Sequence, residues 1–395
     1  MNISGNDNKR IEYTVRVLLC IAVVLVGRLF FLQIIDKSDL QAKNLSQVQV
    51  DRKLQSPRGT IYDRNGRPLA MSVVTKSLYA DPKMIDRPTD EIADLIEPDV
   101  TMAKGDIVKS LQEDTAFVWI DRMMEPEKSK AIAQLIKEKK LKGLNFVEES
   151  KRYYPNGNLA AQVLGFVGTD DKGLEGLEMV LDDELKGGIQ KELVATDRNG
   201  NAIFGSVLSK YLPDKGKSVT LTIDASIQFI AERALDKAME DTGAKHASVI
   251  VMDPKSGEIL AMANRPTYDP NHYSQSSDEA FKNIAVTNLY EPGSTFKPLI
   301  ASAALASGKW KLDQVYNDKG AFVANGHVMQ NWNGEGYGPV KLIDILKFSI
   351  NTGMAEIGTT TGADILSKYV RDYGFGSETG IELPGEGSGI LYNPE

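Results

Sequence analysis

Residues 246–263, HASVIVMDPKSGEILAMA, contain two runs of β-forming apolar residues joined by the turn PKSG. Two such runs on either side of a tight turn predict a β-hairpin. The preceding segment, IQFIAERALDKAMED (227–241), has the apolar period of an amphipathic helix, and Asp224 or Ser226 is a candidate cap for its first turn. A strand-like start, a helix and a hairpin, followed by more helices, predict an α+β or α/β domain that begins near residue 216.

The sharpest chemical signal follows this hairpin in EPGSTFKP (291–298), which contains the only Ser-x-x-Lys of the chain. Pro292-Gly293 predicts a turn, and PLIASAALAS (298–307) predicts a helix. Ser294 is therefore expected at a helix N-terminus, where the helix dipole favours developing negative charge. Lys297 is expected on the same helix face, three residues further on.

Serine becomes a good nucleophile only beside a base, and a lysine can serve if burial or neighbouring cations favour its neutral amine. The spacing of Ser294 and Lys297 meets that need without a histidine. By itself the motif is weak, because an ordinary exposed serine and lysine in a first helical turn would give the same letters.

A second candidate motif is KFSINTGM (347–354), which follows a short amphipathic helix pattern. Ser349 and Asn351 are expected in a connection between two helices, where both side chains can face a cleft, and Thr352 is expected to cap the second helix. The alternative is a simple capping turn without chemistry, which the local residues alone favour.

Composition excludes several other classes of protein. The net charge of −8 argues against a nucleic-acid partner, which would normally meet a basic face. One cysteine, Cys20, excludes a disulfide framework and a cysteine-rich zinc site. The three histidines, His246, His272 and His327, have no metal-ligand spacing. We expect no cofactor.

Residues 17–35, VLLCIAVVLVGRLFFLQII, approach the length of apolar chain that a bilayer requires, and basic residues precede them. The positive-inside rule predicts residues 1–16 in the cytoplasm and the chain from residue 36 outside the cell membrane. A cleaved signal peptide would have a shorter apolar region and a small-residue exit, and a buried soluble helix would not need the basic flank. We therefore expect an uncleaved, single-pass membrane anchor.

Residues 36–215 show no constellation that suggests chemistry. The stretch SPRGTIYDRNGRPLA (56–70) has a tight-turn signal at Asn65-Gly66, residues 88–143 have mostly an amphipathic helical pattern, and residues 151–178 are rich in glycine and turn formers. These patterns predict a structural or interaction domain before the chemical one.

In combination, these stretches resemble a class B penicillin-binding protein, since Ser-x-x-Lys and a Ser-x-Asn motif belong to the signature of penicillin-binding proteins. In the chemical part, the resemblance is carried by EPGSTFKP (291–298), SIN (349–351), VIVMDPKSGEILAMANRPTYDPN (249–271) and YGFGSETGIELPGE (373–386). In the preceding domain it is carried by SPRGTIYDRNGRPLA (56–70), RYYPNGNLAAQVLGF (152–166) and GLEGLE (173–178). In the anchor it is carried by RLFFLQI (28–34).

The resemblance implies an α+β multidomain protein with an N-terminal transmembrane helix, an elongated non-catalytic pedestal of the dimerisation type and a penicillin-binding transpeptidase domain with an antiparallel sheet. It implies that Ser294 is the acylated nucleophile, with its N–H as half of an oxyanion hole, and that Lys297 is its general base. Ser349 would relay a proton to the leaving amine, and Asn351 would hold the substrate's peptide carbonyl.

Two features depart from the family pattern. Ile350 stands where a smaller or polar residue is common, and no Lys-[Ser/Thr]-Gly follows Asn351. Lys255-Ser256-Gly257 has suitable letters but precedes Ser294 and belongs to the predicted hairpin turn. We therefore expect residues 216–395 to be a C-terminally incomplete transpeptidase domain that ends before the third motif and is inactive as it stands.

The implied function is peptidoglycan D,D-transpeptidation, with stem peptides and β-lactams as ligands and with division proteins of the inner membrane and a glycosyltransferase as partners. GFVGTDDKGLEGLE (165–178) is more similar to the septal subtype, penicillin-binding protein 3, than to the elongation subtype. A sporulation-specific or elongation-specific relative, a β-lactamase or β-lactam sensor, and a division scaffold without activity remain alternatives.

Overall fold

A computed structural model describes residues 5–30, 49–195 and 215–392 of the chain. The contacts divide the chain into two units, one of residues 1–57 with 187–216 and the other of residues 58–186 with 217–395. The boundaries predicted at residues 36 and 216 stay predictions.

The smaller unit contains a helix, α1 (Gly5–Phe30), and two antiparallel strands, β1 (Gln49–Gln55) and β6 (Ile189–Ala195). Helix α1 includes the first part of the predicted membrane anchor, and residues 31–35 lie outside the described residues. Within the described ranges, no helix combines the length and the apolar character that a membrane crossing needs.

The larger unit begins with a five-stranded sheet in which β3 pairs with β2, β4 and β5, all antiparallel, and β2 pairs in parallel with β7. Its strands are β2 (Ile61–Tyr62), β3 (Pro68–Ala80), β4 (Val118–Met124), β5 (Leu144–Tyr153) and β7 (Val219–Thr220). Its helices are α2 (Thr89–Ile96), α3 (Lys104–Leu111), α4 (Pro126–Lys139), α5 (Ala161–Leu164), α6 (Gly176–Val180) and α7 (Asp182–Leu185), with short 3-10 turns at Pro82–Met84 and Glu97–Asp99.

An apolar core joins this sheet to its helices, as Leu78 on β3, Ile92 on α2 and Ile132 on α4 show by being almost fully buried. The turn predicted at Asn65-Gly66 is confirmed, with a φ of +79° at Gly66 that favours glycine. The prediction of mostly helix for residues 88–143 missed β4. The aromatic and β-branched residues of β4 suit a strand, and its pairing with β3 stabilises the strand over a helix.

The second half of the larger unit contains helix α8 (Ala225–Thr242), followed along the chain by the predicted hairpin of β8 (Ala247–Met252) and β9 (Ile259–Arg265). Asp224 caps α8 by accepting hydrogen bonds from the N–H groups of Ser226 and Ile227, which confirms one of the two candidate caps. The remaining helices are α9 (Asp278–Phe281), α10 (Ile284–Thr287), α11 (Lys297–Ala306), α12 (Leu342–Lys347), α13 (Asn351–Thr361) and α14 (Ala363–Asp372), with 3-10 turns at Pro270–Gln275 and Gly293–Phe296. Two more hairpin-like pairs complete it, β10 (Val315–Asp318) with β13 (Gly338–Lys341) and β11 (Ala321–Ala324) with β12 (His327–Gln330).

A buried ionic cluster connects three stretches that the sequence singled out in the pedestal. Glu178 accepts from Arg58 Nε and from Arg152 Nε, both at 2.6 Å, and all three side chains are at most 3% exposed. Arg58 also pairs with Asp182 at 2.6 Å, and Arg152 donates to the carbonyl of Gly59 at 2.7 Å. The resemblance motifs around residues 58, 152 and 178 thus meet at one carboxylate.

Removing that carboxylate should destabilise the protein strongly. Glu178→Ala is expected to lower the free energy of unfolding by about 3–5 kcal/mol, because two buried guanidinium groups would lose the charge that they share. Urea unfolding followed by circular dichroism measures the change. Asp241→Ala, which breaks the exposed Lys237–Asp241 pair, is the matched control. A loss no greater than that of the control would contradict the role assigned to Glu178.

Candidate active site

Ser294 lies in a 3-10 turn, Gly293–Phe296, which leads directly into α11. Gly293 has a φ of +59°, and the hydroxyl of Thr295 donates to the carbonyl of Pro292 at 2.6 Å, so the turn is held locally. The predicted helix is present, but a tighter turn precedes it. Ser294 is exposed, so its hydroxyl is accessible from solvent.

Ser349 lies between α12 and α13, as predicted, and has a φ of +52°. The next residue, Ile350, is fully buried in the apolar cluster that holds α11, α12 and α13 together. Gly353 allows the close packing, since a Cβ there would lie 2.7 Å from the side chain of Ile345. Asn351, which was predicted in the same connection, is instead the first residue of α13. Apolar packing therefore sets the position of both polar side chains.

The amine of Lys297 brings the two motifs together. Its Nζ donates to Asn351 Oδ1 at 2.7 Å, to the carbonyl of Ser349 at 2.7 Å and to Ser349 Oγ at 2.9 Å. An ammonium has three protons, and these three acceptors match them in number. The predicted juxtaposition of two motifs more than 50 residues apart is thus present in the structure.

Burial lowers the pKa of Lys297 from the ordinary lysine value. Desolvation disfavours the charged form of an amine, and the half-buried position of Lys297 withdraws it from water. The three acceptors act in the opposite direction, because they favour the ammonium. The pKa nevertheless stays below the ordinary lysine value, so the neutral amine is easier to form than in a free lysine. An amine of this kind can exchange a proton during a reaction.

A second hydrogen bond continues the path to Ser294. Ser349 Oγ lies 2.9 Å from Lys297 Nζ and donates to Ser294 Oγ at 3.0 Å. The exposed serine and the half-buried amine are therefore connected through the hydroxyl of Ser349. All four site residues predicted from the sequence, Ser294, Lys297, Ser349 and Asn351, belong to one hydrogen-bonded group.

Gln330 is a contact that sequence reasoning missed. Its carbonyl accepts from Asn351 Nδ2 at 3.1 Å, which turns Asn351 Oδ1 toward Lys297. A backbone carbonyl at the end of strand β12 leaves no residue-type signal, so no reading of the sequence alone could have found it. Lys255-Ser256-Gly257 lies in the turn between β8 and β9, as predicted.

Two models of known protein families match this sequence. The family model of the penicillin binding protein transpeptidase domain matches residues 247–395, and that of the penicillin-binding protein dimerisation domain matches residues 53–221. These two matches correspond to the half of the chain that carries the candidate site and to the half that precedes it.

Three curated relatives align over nearly the whole chain. The probable peptidoglycan D,D-transpeptidase PenA of Neisseria gonorrhoeae is 34% identical over 98% of this chain and 66% of its own length. Stage V sporulation protein D of Bacillus subtilis is 33% identical over 97% of this chain and 59% of its own length. The probable peptidoglycan D,D-transpeptidase PbpC of Pseudomonas aeruginosa is 31% identical over 98% of this chain and 68% of its own length.

Solved structures agree in fold. Penicillin Binding Protein 2X from Streptococcus thermophilus superimposes with a TM-score of 0.67 at 27% identity, over 87% of this chain and 55% of that chain. A penicillin-binding protein (PBP2) in complex with MreC from Helicobacter pylori superimposes with a TM-score of 0.72 at 22% identity, over 87% of this chain and 69% of that chain.

The fold and the site thus define a penicillin-binding protein with a serine–lysine centre. Within that class, the chain belongs to the class B family whose relatives are named peptidoglycan D,D-transpeptidases. It spans 66% of the length of PenA and 59% of that of the sporulation protein.

Charge alone at position 297 should not support acylation of Ser294. In the intact protein, Lys297→Arg is expected to lose acylation by a β-lactam almost as fully as Lys297→Ala, since a guanidinium stays protonated and accepts no proton. Loss of a general base typically costs a factor of about 10² to 10⁴. Stopped-flow acylation kinetics measure both variants.

The wild-type protein supplies an internal check on the same assignment. Its acylation rate should rise with pH as the amine loses its proton, with a midpoint below the ordinary lysine value of 10.5, because burial lowers the pKa of Lys297.

An arginine variant that reacts within a few-fold of wild type would remove Lys297 from the role of base.

Proposed function

We propose that the intact protein is a D,D-transpeptidase that cross-links peptidoglycan stem peptides through an acyl-enzyme on Ser294. The observation that carries this proposal is the continuous path from the Lys297 amine through the Ser349 hydroxyl to Ser294, at 2.9 and 3.0 Å. Family membership and the names of the relatives support the same reaction.

In the acylation half, Ser294 Oγ attacks the carbonyl carbon between the two terminal D-alanines. The Ser294 proton passes to the hydroxyl of Ser349, and the proton of that hydroxyl passes to neutral Lys297. The negative charge that develops on the carbonyl oxygen is stabilised by the N–H of Ser294, a type of contact typically worth about 3 kcal/mol. The peptide C–N bond then breaks, and the terminal D-alanine leaves with a proton returned through Ser349.

In the second half, an amine of a neighbouring stem peptide attacks the ester carbonyl of the acyl-enzyme. Lys297 accepts the proton of that amine through Ser349, the ester C–O bond breaks, and Ser294 regains a proton. Asn351 Oδ1 lies 2.7 Å from Lys297 Nζ and holds the amine in place through both halves. The atoms balance without a cofactor, because the first half breaks an amide and forms an ester, and the second half breaks that ester and forms a new amide.

We propose a septal role, on the resemblance of residues 165–178 to the division subtype. The sporulation role is the second candidate, because a stage V sporulation protein is 33% identical over nearly the whole chain. Depleting the protein separates them. Filamentous cells without septa support the septal role, and normal division with defective spores would refute it.

The proposed place of work is the outer face of the cell membrane, with residues 17–35 as a single-pass anchor and residues 1–16 in the cytoplasm. Apolar side chains from Val17 to Val26 on helix α1 are exposed, which supports contact with lipid. Proposed partners are division proteins of the inner membrane and a glycosyltransferase. A penicillin-binding protein of similar fold forms a complex with MreC, which supports the expectation of a protein partner.

Ser294 should be the site of covalent labelling by penicillin. In the intact protein, Ser294→Ala is expected to abolish labelling by a fluorescent penicillin while the melting temperature is retained, because the exposed hydroxyl contributes little to packing. Ser256→Ala, in the Lys-Ser-Gly turn of the β8–β9 hairpin, is the matched control and should label normally.

Three outcomes with the wild-type protein distinguish the candidate functions. A long-lived adduct supports a transpeptidase, rapid release of hydrolysed penicillin indicates a β-lactamase, and no adduct indicates a scaffold. Normal labelling of Ser294→Ala would mean that the nucleophile lies elsewhere.

Removing residues 1–36 should release the protein from the membrane, since residues 17–35 are the only stretch with close to the required apolar length. The measurement is fractionation of cells that express the shortened and the intact protein. The shortened protein should appear in the soluble fraction after a high-salt wash. If it still sediments with lipid, a second membrane contact exists.

A further inference from the structure

Behind the Ser349–Asn351 turn lies a buried polar cluster that the chemistry above does not use. It consists of Asp318 at the end of β10, Asn331 just after β12 and Thr352 in the first turn of α13, which are 2%, 4% and 0% exposed. Buried polar groups are costly unless each has a partner, so their hydrogen bonds define what the cluster does.

Asn331 caps α13 from 20 residues upstream. Its Oδ1 accepts from the N–H of Asn351 at 3.0 Å and from the N–H of Thr352 at 3.2 Å. The first N–H groups of a helix have no partner within the helix, and the local cap residue, Ile350, has no side chain that can accept a hydrogen bond. The sequence predicted that Thr352 would cap this helix. That prediction is wrong, because Thr352 is already inside the helix and its hydroxyl donates to Asp318 at 2.6 Å.

Asp318 fixes the orientation of the Asn331 amide. Its Oδ2 accepts from Asn331 Nδ2 at 2.8 Å and from the N–H of Tyr337 at 2.9 Å, and its Oδ1 accepts from Thr352 Oγ1 and from the N–H of Gly320 at 2.9 Å. Burial acts to raise the pKa of this carboxyl, but the hydrogen bonds outweigh burial and the pKa is lowered. Because the ionised carboxylate accepts from Asn331 Nδ2, the other end of that amide, Oδ1, faces α13.

Two neighbouring residues hold Asn351 from two sides. Asn331 holds its backbone N–H, and the carbonyl of Gln330 holds its Nδ2 at 3.1 Å. With Nδ2 engaged, the other end of the amide, Oδ1, faces Lys297 Nζ at 2.7 Å. A chain of direct contacts thus runs from Asp318 through Asn331 and Asn351 to the amine.

We propose that Asp318 and Asn331 are positioning residues that act through Asn351 to set the place and the basicity of the Lys297 amine during acylation. The inference rests on the proposed function, since acylation is the reaction that would report it. A cluster that served only to stabilise the fold would also be buried and satisfied. The two cases differ in what happens to the amine when the cluster is altered in a folded protein.

The test measures the pH dependence of penicillin acylation in the intact protein with Asn331→Leu. We expect the rate constant to fall about 10- to 100-fold, as misplacement by about 1 Å of a reacting group does. We also expect the midpoint of the rise with pH to move downward, because Asn351 Oδ1 no longer stabilises the ammonium of Lys297. Asn333→Leu, an exposed asparagine in the same loop, is the matched control and should leave the rate and the midpoint unchanged.

A second pair of variants removes dependence on whether Asn331→Leu folds. Thr352→Val keeps the shape of the buried side chain and removes the hydroxyl that binds Asp318, whereas Thr352→Ser keeps the hydroxyl. Both are compared at a temperature at least 10 °C below their melting transitions. Slower acylation with a lowered midpoint in the valine variant, and recovery in the serine variant, support the proposal.

The remaining outcomes refute it. Wild-type kinetics in a folded Thr352→Val variant, or a slower rate with an unchanged midpoint, would show that the cluster only stabilises the fold. If the wild-type protein itself forms no adduct, the proposed function fails. If the wild-type protein reacts normally and the variants behave as it does, the positioning role alone fails.

Discussion

The contact between the Lys297 amine and the Ser349–Asn351 turn is the constraint on which the half of the chain with the candidate site depends. A lysine amine that is partly withdrawn from water needs acceptors at fixed places, and here all three come from a segment more than 50 residues away. Helices α11 and α13 must therefore pack closely. Buried alanines on α11 allow α13 to approach it, and the absence of a side chain at Gly353 allows α13 to pack against Ile345 on α12. The geometry of the candidate site thus depends on the size of buried apolar residues.

Two buried polar clusters of the larger unit are built in the same way. In each, one carboxylate accepts hydrogen bonds from chain segments that are far apart in sequence. Glu178 joins Arg58 and Arg152 in the pedestal, and Asp318 joins Asn331 and Thr352 behind the active site. A buried carboxylate is costly unless every partner is in place, so each cluster favours one arrangement of its segments over near alternatives. Each cluster thus fixes the placement of the segments that meet at its carboxylate.

The sequence predicted those features whose signals are local. The hairpin at residues 247–265, the cap at Asp224 and the turn before Ser294 follow from patterns within a few residues, and all are present. Family resemblance was needed to select Ser349 and Asn351, because the local residues alone favour a simple capping turn. Strand β4 was missed since its state depends on pairing with β3. The cap from Asn331 was missed because a hydrogen bond across 20 residues leaves no periodic pattern.

Ser349 has a left-handed backbone, and at this residue the demands of stability and of the proposed activity conflict. A φ of +52° costs a serine roughly 1–2 kcal/mol that a glycine would not incur. Glycine would relieve this strain but would remove the hydroxyl that connects Lys297 to Ser294. Under the proposed function, Ser349→Gly would therefore give a more stable protein that is a poorer catalyst.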